Sequence, residues 1–430
     1  MYKYSLVSVL FFLFSCANSD SLIDLFGSKS FWSFNIENGQ ITTSYQFPAV
    51  FLAESNNAMV YVSYDTSFVT KSLAKDVLNE FEKTGPILES TFGKRPDVDK
   101  NGKVILLFLD IRDGAKQGDP YIAGYFSPYD QYSDKSVKKS LCAGSICIRS
   151  NEADILYLDT YPAIPGSRDF LATMAHEYQH MLHFEHDYEY YLQNTSAKFE
   201  ETWVNEGLSE VASDIAGYGP QTSRLNYYSS TATDSLIGWN SSLADYSNVY
   251  VYFRFIADSV GNSVISAIFR DNDVGIAGVE NAFANTNTFV SGCGSNFPHA
   301  YTRFECSFRL EQAAIYGLTN VSGNVAGTAF SFTRSAQYKF NLAPAVPPAS
   351  SISGSLTLSG YAAKAVNVTS SISTSSPFTG LWEGSNGVVY SHDTNTSNST
   401  ANVTTNVIGR LCGSSLMPRV DFPTLGAKLN

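Results

Sequence analysis

His176 and His180 lie four residues apart in the segment HEYQH, and Glu206 follows 26 residues beyond the second histidine. On a helix, residues four apart share a face, so both imidazoles can reach one cation. Glu177 stands next to His176 and can address a water on that cation. The preceding LATMA is good helical sequence, and WVNEGLSE (203–210) reads as a second helix. For Glu206 to join the histidines, the second helix must run back past the first. Two imidazoles and one carboxylate suit zinc, with a fourth position left for water. A fold that fails to bring these helices together wastes the pattern.

With 430 residues the chain has room for two or three domains. Apolar residues make up 44% and charged ones 16%, the balance of a folded chain with a neutral-polar surface. There are 28 basic residues against 40 acidic ones, so a nucleic-acid footprint is not expected. NAMVYVSYD (57–65), KVILLFLDI (103–111) and ADILYLDT (153–160) read as strands, the second one central. Lys71 to Thr84 reads as a helix capped by Thr70 and stopped by Gly85-Pro86. Residues 112–150 read as a long loop beside a cleft. Arg168 to Glu185, Glu200 to Ala216 and Val249 to Val260 read as helices. After about residue 320, Ser, Thr, Val and Gly dominate in alternating stretches such as SISGSLTLSG (351–360) and KAVNVTSSIS (364–373), which indicates an all-β, sandwich-like module. Residues 343–348 (APAVPP) read as a linker or interdomain turn.

HEYQH followed by WVNEGLSE resembles the gluzincins, zinc peptidases whose third ligand is a glutamate. WVNEGLSE is similar to the WLNEGFA stretch of the aminopeptidase N group, and HEYQHMLHFEHD with NEGLSE resembles in particular the hyicolysin family of bacterial neutral metallopeptidases. The resemblance covers roughly residues 57–265. It implies an α+β, thermolysin-like zincin catalytic domain, with a β-rich N-terminal part and a helical active-site part. It implies His176, His180 and Glu206 as zinc ligands, Glu177 as base, and a protein or peptide substrate. The long interval to Glu206 and the lack of a GAMEN-type strand before HEYQH favour an endopeptidase over an aminopeptidase. YSNVYVYFRFIADSVG (246–261) resembles the aminopeptidase segment that begins with a catalytic tyrosine, which points to Tyr246, with Tyr250 as competitor; the Lys-Gly that follows that tyrosine is absent here. The expected divisions are a signal peptide at 1–15, a leader with first strands at 16–50, the metallopeptidase domain at 51–320 and the β-rich domain at 321–430. An aminopeptidase, a surface lipoprotein that binds ligands with residual or no protease activity, and a zinc hydrolase acting on non-protein amides or esters are the competing readings.

Glu210 and Asp214 follow Glu206 at four-residue steps and are candidates to orient a ligand histidine. His183 is expected behind the ligands or in the core, and His186 at the helix end, where a partly positive ring suits the dipole. DVDKNG (97–102) resembles the start of a calcium loop, with Asp97, Asp99 and Asn101 at alternate positions, although Phe108 occupies the twelfth. Calcium is therefore a candidate second cofactor. Lys3 and the apolar run Leu6 to Phe14 form an export signal too short to span a bilayer. Leu13-Phe14-Ser15-Cys16 resembles a loose bacterial lipobox, which would acylate Cys16 and anchor a monomer to the cell envelope or outer surface; plain secretion is the alternative. Cys142 and Cys147 are spaced for one disulfide and Cys293 and Cys306 for another, with Cys412 left over.

Overall fold

The computed structural model describes residues 27–37, 39–66, 68–231, 235–286, 303–325, 328–333, 361–367, 378–383, 386–391 and 410–411. The signal segment, Cys16, Cys293, Cys412, the 343–348 linker and the 351–360 stretch lie outside them.

A six-stranded mixed sheet organises the first part. β1 (Ser28–Glu37), β2 (Gln40–Glu54) and β3 (Ala58–Ser63) are antiparallel neighbours. β4 (Val104–Leu109) runs parallel to β3, and β9 (Ile155–Asp159) parallel to β4. The short β6 (Gly124–Phe126) closes the edge antiparallel to β9. β4 and β9 are buried at every residue, as expected for apolar runs flanked by a strand on each side. The span 112–150 is not a single loop. It holds β5 (Tyr121–Ile122), β6, a 3-10 turn (Pro128–Gln131), α2 (Asp134–Leu141), β7 (Cys142–Ala143) and β8 (Ile146–Cys147). Cys142 and Cys147 face each other across β7 and β8 and form the expected disulfide. Cys306 is also disulfide-bonded, and its expected partner Cys293 lies outside the described residues.

The crossover from β3 to β4 is α1 (Lys71–Phe92), capped by Thr70, whose side chain accepts the Leu73 N–H at 3.2 Å. The expected stop at Gly85-Pro86 is wrong, because the helix runs on through Pro86. A proline inside a helix costs about 3 kcal/mol. Beyond it, Leu88 and Phe92 continue the buried stripe of Val77 and Phe81, and burying each is worth about 1.5–3 kcal/mol. Packing therefore outweighs the broken backbone bond.

α3 (Arg168–Gln193) starts at Ser167, whose hydroxyl accepts the Phe170 N–H, and lies against the sheet and α1. Phe170 meets Phe108 at 5.0 Å between ring centroids, and Tyr178 meets Phe81 at 4.9 Å. The helix is two turns longer than expected. Phe184, Tyr188 and Tyr191 form an aromatic stripe that packs on Tyr132 and Phe199 and carries it past Glu185. His186 therefore sits mid-helix, its ring 4.8 Å from that of Phe269, and not at a helix end. α4 (Thr202–Ile215) crosses α3 and is followed by α5 (Thr222–Thr231), α6 (Leu243–Val260), α7 (Asn262–Arg270), α8 (Ile276–Asn285) and α9 (Arg303–Ile315). α6 begins two turns before Val249, at a capping box of Ser242 and Asp245. Among the described residues no helix is long and apolar enough to cross a membrane.

From residue 320 the described chain turns to strands. β10 (Asn320–Val325), β11 (Thr328–Thr333), β12 (Ala363–Asn367), β13 (Phe378–Glu383) and β14 (Asn386–Ser391) form an antiparallel sheet in the order β11-β10-β13-β14-β12. β15 (Arg410–Leu411) pairs parallel with β5.

α4 can approach α6 closely because Gly207 has no side chain. A Cβ there would collide with the Phe253 ring of α6. Overpacking of this kind costs about 1–3 kcal/mol. Gly207→Ala is expected to lower the melting temperature in a thermal unfolding scan, while a substitution of an exposed residue on α1, Lys75→Ala, leaves it unchanged.

Candidate metal centre

α3 and α4 are sewn together along a seam of small polar groups. The Ser213 hydroxyl donates to the Ala172 carbonyl at 2.8 Å, and the Ser209 hydroxyl donates to Gln179 Oε1. That crossing brings Glu206 against the two histidines. His176 Nε2 lies 3.2 Å from Glu206 Oε2 and 3.1 Å from His180 Nε2, and His180 Nε2 lies 3.4 Å from Glu206 Oε2. The edge of a tetrahedron whose corners lie about 2.0 Å from its centre is about 3.3 Å, so the three donors match three corners of a zinc site. All three side chains are buried.

The surroundings prepare these donors for a cation. His180 Nδ1–H donates to Asn205 Oδ1 at 2.6 Å, which leaves Nε2 as a lone pair facing the site. Ser209 Oγ lies 3.0 Å from the same Nδ1. Glu210 Oε1 stands 3.8 Å from His176 Nδ1 and accepts two bonds from Arg224, at 3.0 Å from Nε and 2.6 Å from Nη2. Burial works against a charge on Glu206, yet His180 and His176 hold its carboxyl down at about 2. Burial pushes His176 down, outweighing its bond to Glu206. Glu206 in turn holds His180 up against burial. Zinc takes the carboxylate ionised and displaces protons from its imidazole ligands.

Glu177, next to His176 in the chain, also reaches the sheet edge. It is fully buried, and its Oε2 accepts the Phe126 N–H of β6 at 3.0 Å. Its negative charge acts on His180. Gly124 lets β6 lie this close, since a Cβ there would come within 2.8 Å of Thr173 Cγ2 and 3.3 Å of Glu177 Cγ.

The remaining expected residues divide. Glu210 is in place beside His176. Asp214 is not turned to a ligand histidine: its Oδ2 takes Arg254 Nη1 at 2.6 Å and the Tyr250 hydroxyl at 2.9 Å, tying α4 to α6. Tyr250 also accepts the Gln221 N–H at 2.9 Å, so its hydroxyl is engaged away from the triad. Tyr246 is fully buried between the Trp239 ring at 5.0 Å and the Arg224 guanidinium at 5.0 Å, and connects to His176 through Arg224 and Glu210. His183 is a core residue, 5.1 Å from the Phe269 ring, with Asp187 Oδ1 3.8 Å from its Nε2; burial lowers its pKa to about 4. Asp97 and Asp99 have ligand atoms within 4.8 Å of each other and of Asp154. Asn101 turns instead to Asp99 and to the Lys103 N–H.

Asn205, Ser209 and Arg224 were missed in the sequence. Asn205 and Ser209 are four apart on α4 and flank Glu206, a spacing that could have flagged them. Arg224 carries no local signal.

His176, His180 and Glu206 thus form a compact candidate zinc-binding triad, the arrangement of a metallopeptidase with HExxH and a distal glutamate. A mixed sheet followed by helices that carry this triad matches a thermolysin-like zincin fold. No family model matches the chain. Over 266 residues it is 27% identical to the neutral metalloprotease ShpI of Staphylococcus hyicus, which covers 58% of this chain and 57% of that protein. The triad and this similarity support a zinc metallopeptidase of the general gluzincin type.

Loss of a group that orients a metal-bound histidine typically costs about 10–100-fold in metal affinity. Asn205→Ala is expected to weaken zinc binding by that factor in a competition titration against a chelator, with the far-ultraviolet circular dichroism unchanged.

Proposed function

We propose that the chain is an exported zinc-dependent endopeptidase of the hyicolysin type, cleaving peptide bonds in proteins. The observation that carries this reading is the mutual 3.1–3.4 Å spacing of His176 Nε2, His180 Nε2 and Glu206 Oε2, with Glu177 next in the chain. Zinc held there supplies Lewis acidity toward a water and toward the carbonyl of the scissile bond. Glu177 takes the proton of the attacking water and returns it to the leaving amine. The Phe126 N–H fixes one oxygen of that carboxylate and so sets its orientation. Asn205 and Glu210 hold the imidazole rings, and Arg224 holds Glu210. Tyr246 is the proposed donor to the oxyanion; it shares the Arg224 guanidinium with Glu210 and belongs to the same packed unit.

Export is supported by the apolar run Leu6 to Phe14 and by the Cys142–Cys147 disulfide, since disulfides persist in oxidising compartments. We place the protein at the bacterial cell envelope through acylated Cys16, with secretion as the alternative. The sheet after residue 320 is read as part of a separate β module of sandwich type.

Casein hydrolysis by the wild type and by Glu177→Gln, with zinc measured in both, tests the reading. The variant is expected to keep stoichiometric zinc and to lose about 100-fold or more of the rate, the usual worth of a general base. Equal cleavage by both would remove Glu177 from the chemistry, and no cleavage by either on any protein substrate would favour a ligand-binding lipoprotein.

A further inference from the structure

We propose that the outer edge of β6 is the docking site of this chain's own segment beginning with β15, residues 410–430, laid as a strand where a substrate would pair. The inference deepens the proteolytic reading and rests on it for its consequence, a latent enzyme.

β6 borders the base. The Asp159 N–H donates to the Ala123 carbonyl at 2.9 Å. Backbone groups of an antiparallel pair point alternately toward the partner and away from it. Those of Gly124 and Phe126 therefore point away from β9, and the Phe126 N–H does so, reaching Glu177 Oε2 at 3.0 Å. Among the described residues no strand pairs with this outer edge. An open strand edge takes an extended chain through main-chain bonds.

The occupant is named by a strand already beside it. β15 runs parallel to β5, with Arg410 opposite Tyr121 and Leu411 opposite Ile122. Only Ala123 separates β5 from β6. Because the pairing is parallel, β15 points along the chain direction that leads from β5 into β6. One edge of β6 is filled by β9, so the outer edge is the one left for a continuing strand. Residues 412–430 are ample to span the three residues of β6.

Charge favours the same occupant. Residues 410–430 hold Arg410, Arg419 and Lys428 against Asp421, a net side-chain charge of +2 in a chain whose net charge is -12. Asp113, whose Oδ2 accepts the Ile122 N–H at 2.7 Å, lines a cavity of about 730 Å³ with Glu37, Asp65 and Asp110, against Arg112 and Lys116. The ground beside β5 is thus acidic where the segment is basic, a complementarity that fixes partner and register. The site is also shut: His176, Glu177, His180 and Glu206 are each no more than 2% exposed. A peptidase has to admit a polypeptide to these groups, so this form is closed to substrate.

Hydrogen–deuterium exchange tests the docking on the full chain carrying Glu177→Gln, which prevents self-digestion. It is compared with the same chain carrying Arg410→Pro and Leu411→Pro as well, since prolines remove donors that a paired strand uses. The expected result is faster exchange over residues 121–126 in the proline variant, with β4 unchanged. A synthetic peptide of residues 409–420, with Cys412→Ser so that no thiol meets the metal, should slow that exchange again. In the active, zinc-loaded background the two prolines should raise casein cleavage about 5-fold or more, the range of ordinary coupling between sites, and the peptide should reverse the gain competitively. Unchanged exchange over residues 121–126 overturns the proposal, as does lost protection with no gain in an enzyme that cuts casein. A chain that cuts nothing in any form removes the proteolytic reading, and the exchange still decides the docking.

Discussion

Three electron-rich atoms crowded within 3.4 Å of one another in a buried site set the terms for the rest of the molecule. Two imidazole nitrogens and a carboxylate oxygen repel at that range unless a proton or a metal cation sits among them, and burial removes the water that would soften the repulsion. The fold holds them together nonetheless. The serine seam fixes the crossing of α3 and α4, and Gly207 lets α4 settle against α6. Stability given up to gather these donors is recovered when metal binds, so folding and metal binding are linked in this chain.

A second constraint comes from the sheet. Glu177 is placed by the helix that bears the histidines and oriented by the backbone of β6, an edge strand whose close approach depends on Gly124. Glu177 and the histidines thus share a helix, while different layers hold their side chains. The three histidine and glutamate donors are fixed by helix packing, and one oxygen of Glu177 is fixed by the sheet edge. On the proposed mechanism, a displacement of β6 disturbs proton transfer and leaves the three donors in place.

Much of this was legible where the period of the pattern is local. HEYQH and NEGLSE lie on helices whose spacing is set by the backbone alone, and the apolar runs of β4 and β9 read as strands, the first of them central. Features that depend on distant partners were not legible. Pro86 reads as a helix stop until Leu88 and Phe92 are seen buried beyond it. The stretch 112–150 reads as loop because its strands are two or three residues long, and β6 and β5 gain their pairing from the remote β9 and β15. Asp214 sits at the right helical step to serve a histidine, yet Arg254 and Tyr250 on α6 claim it. Arg224 meets the site only through Glu210, which lies on another helix.

X-ray absorption at the zinc edge, on the zinc-loaded protein, interrogates the triad directly. The account predicts four light-atom neighbours at about 2.0–2.1 Å, with the multiple scattering of two imidazoles and no sulfur. A sulfur shell near about 2.3 Å, or a signal from fewer or more than two histidines, would contradict it.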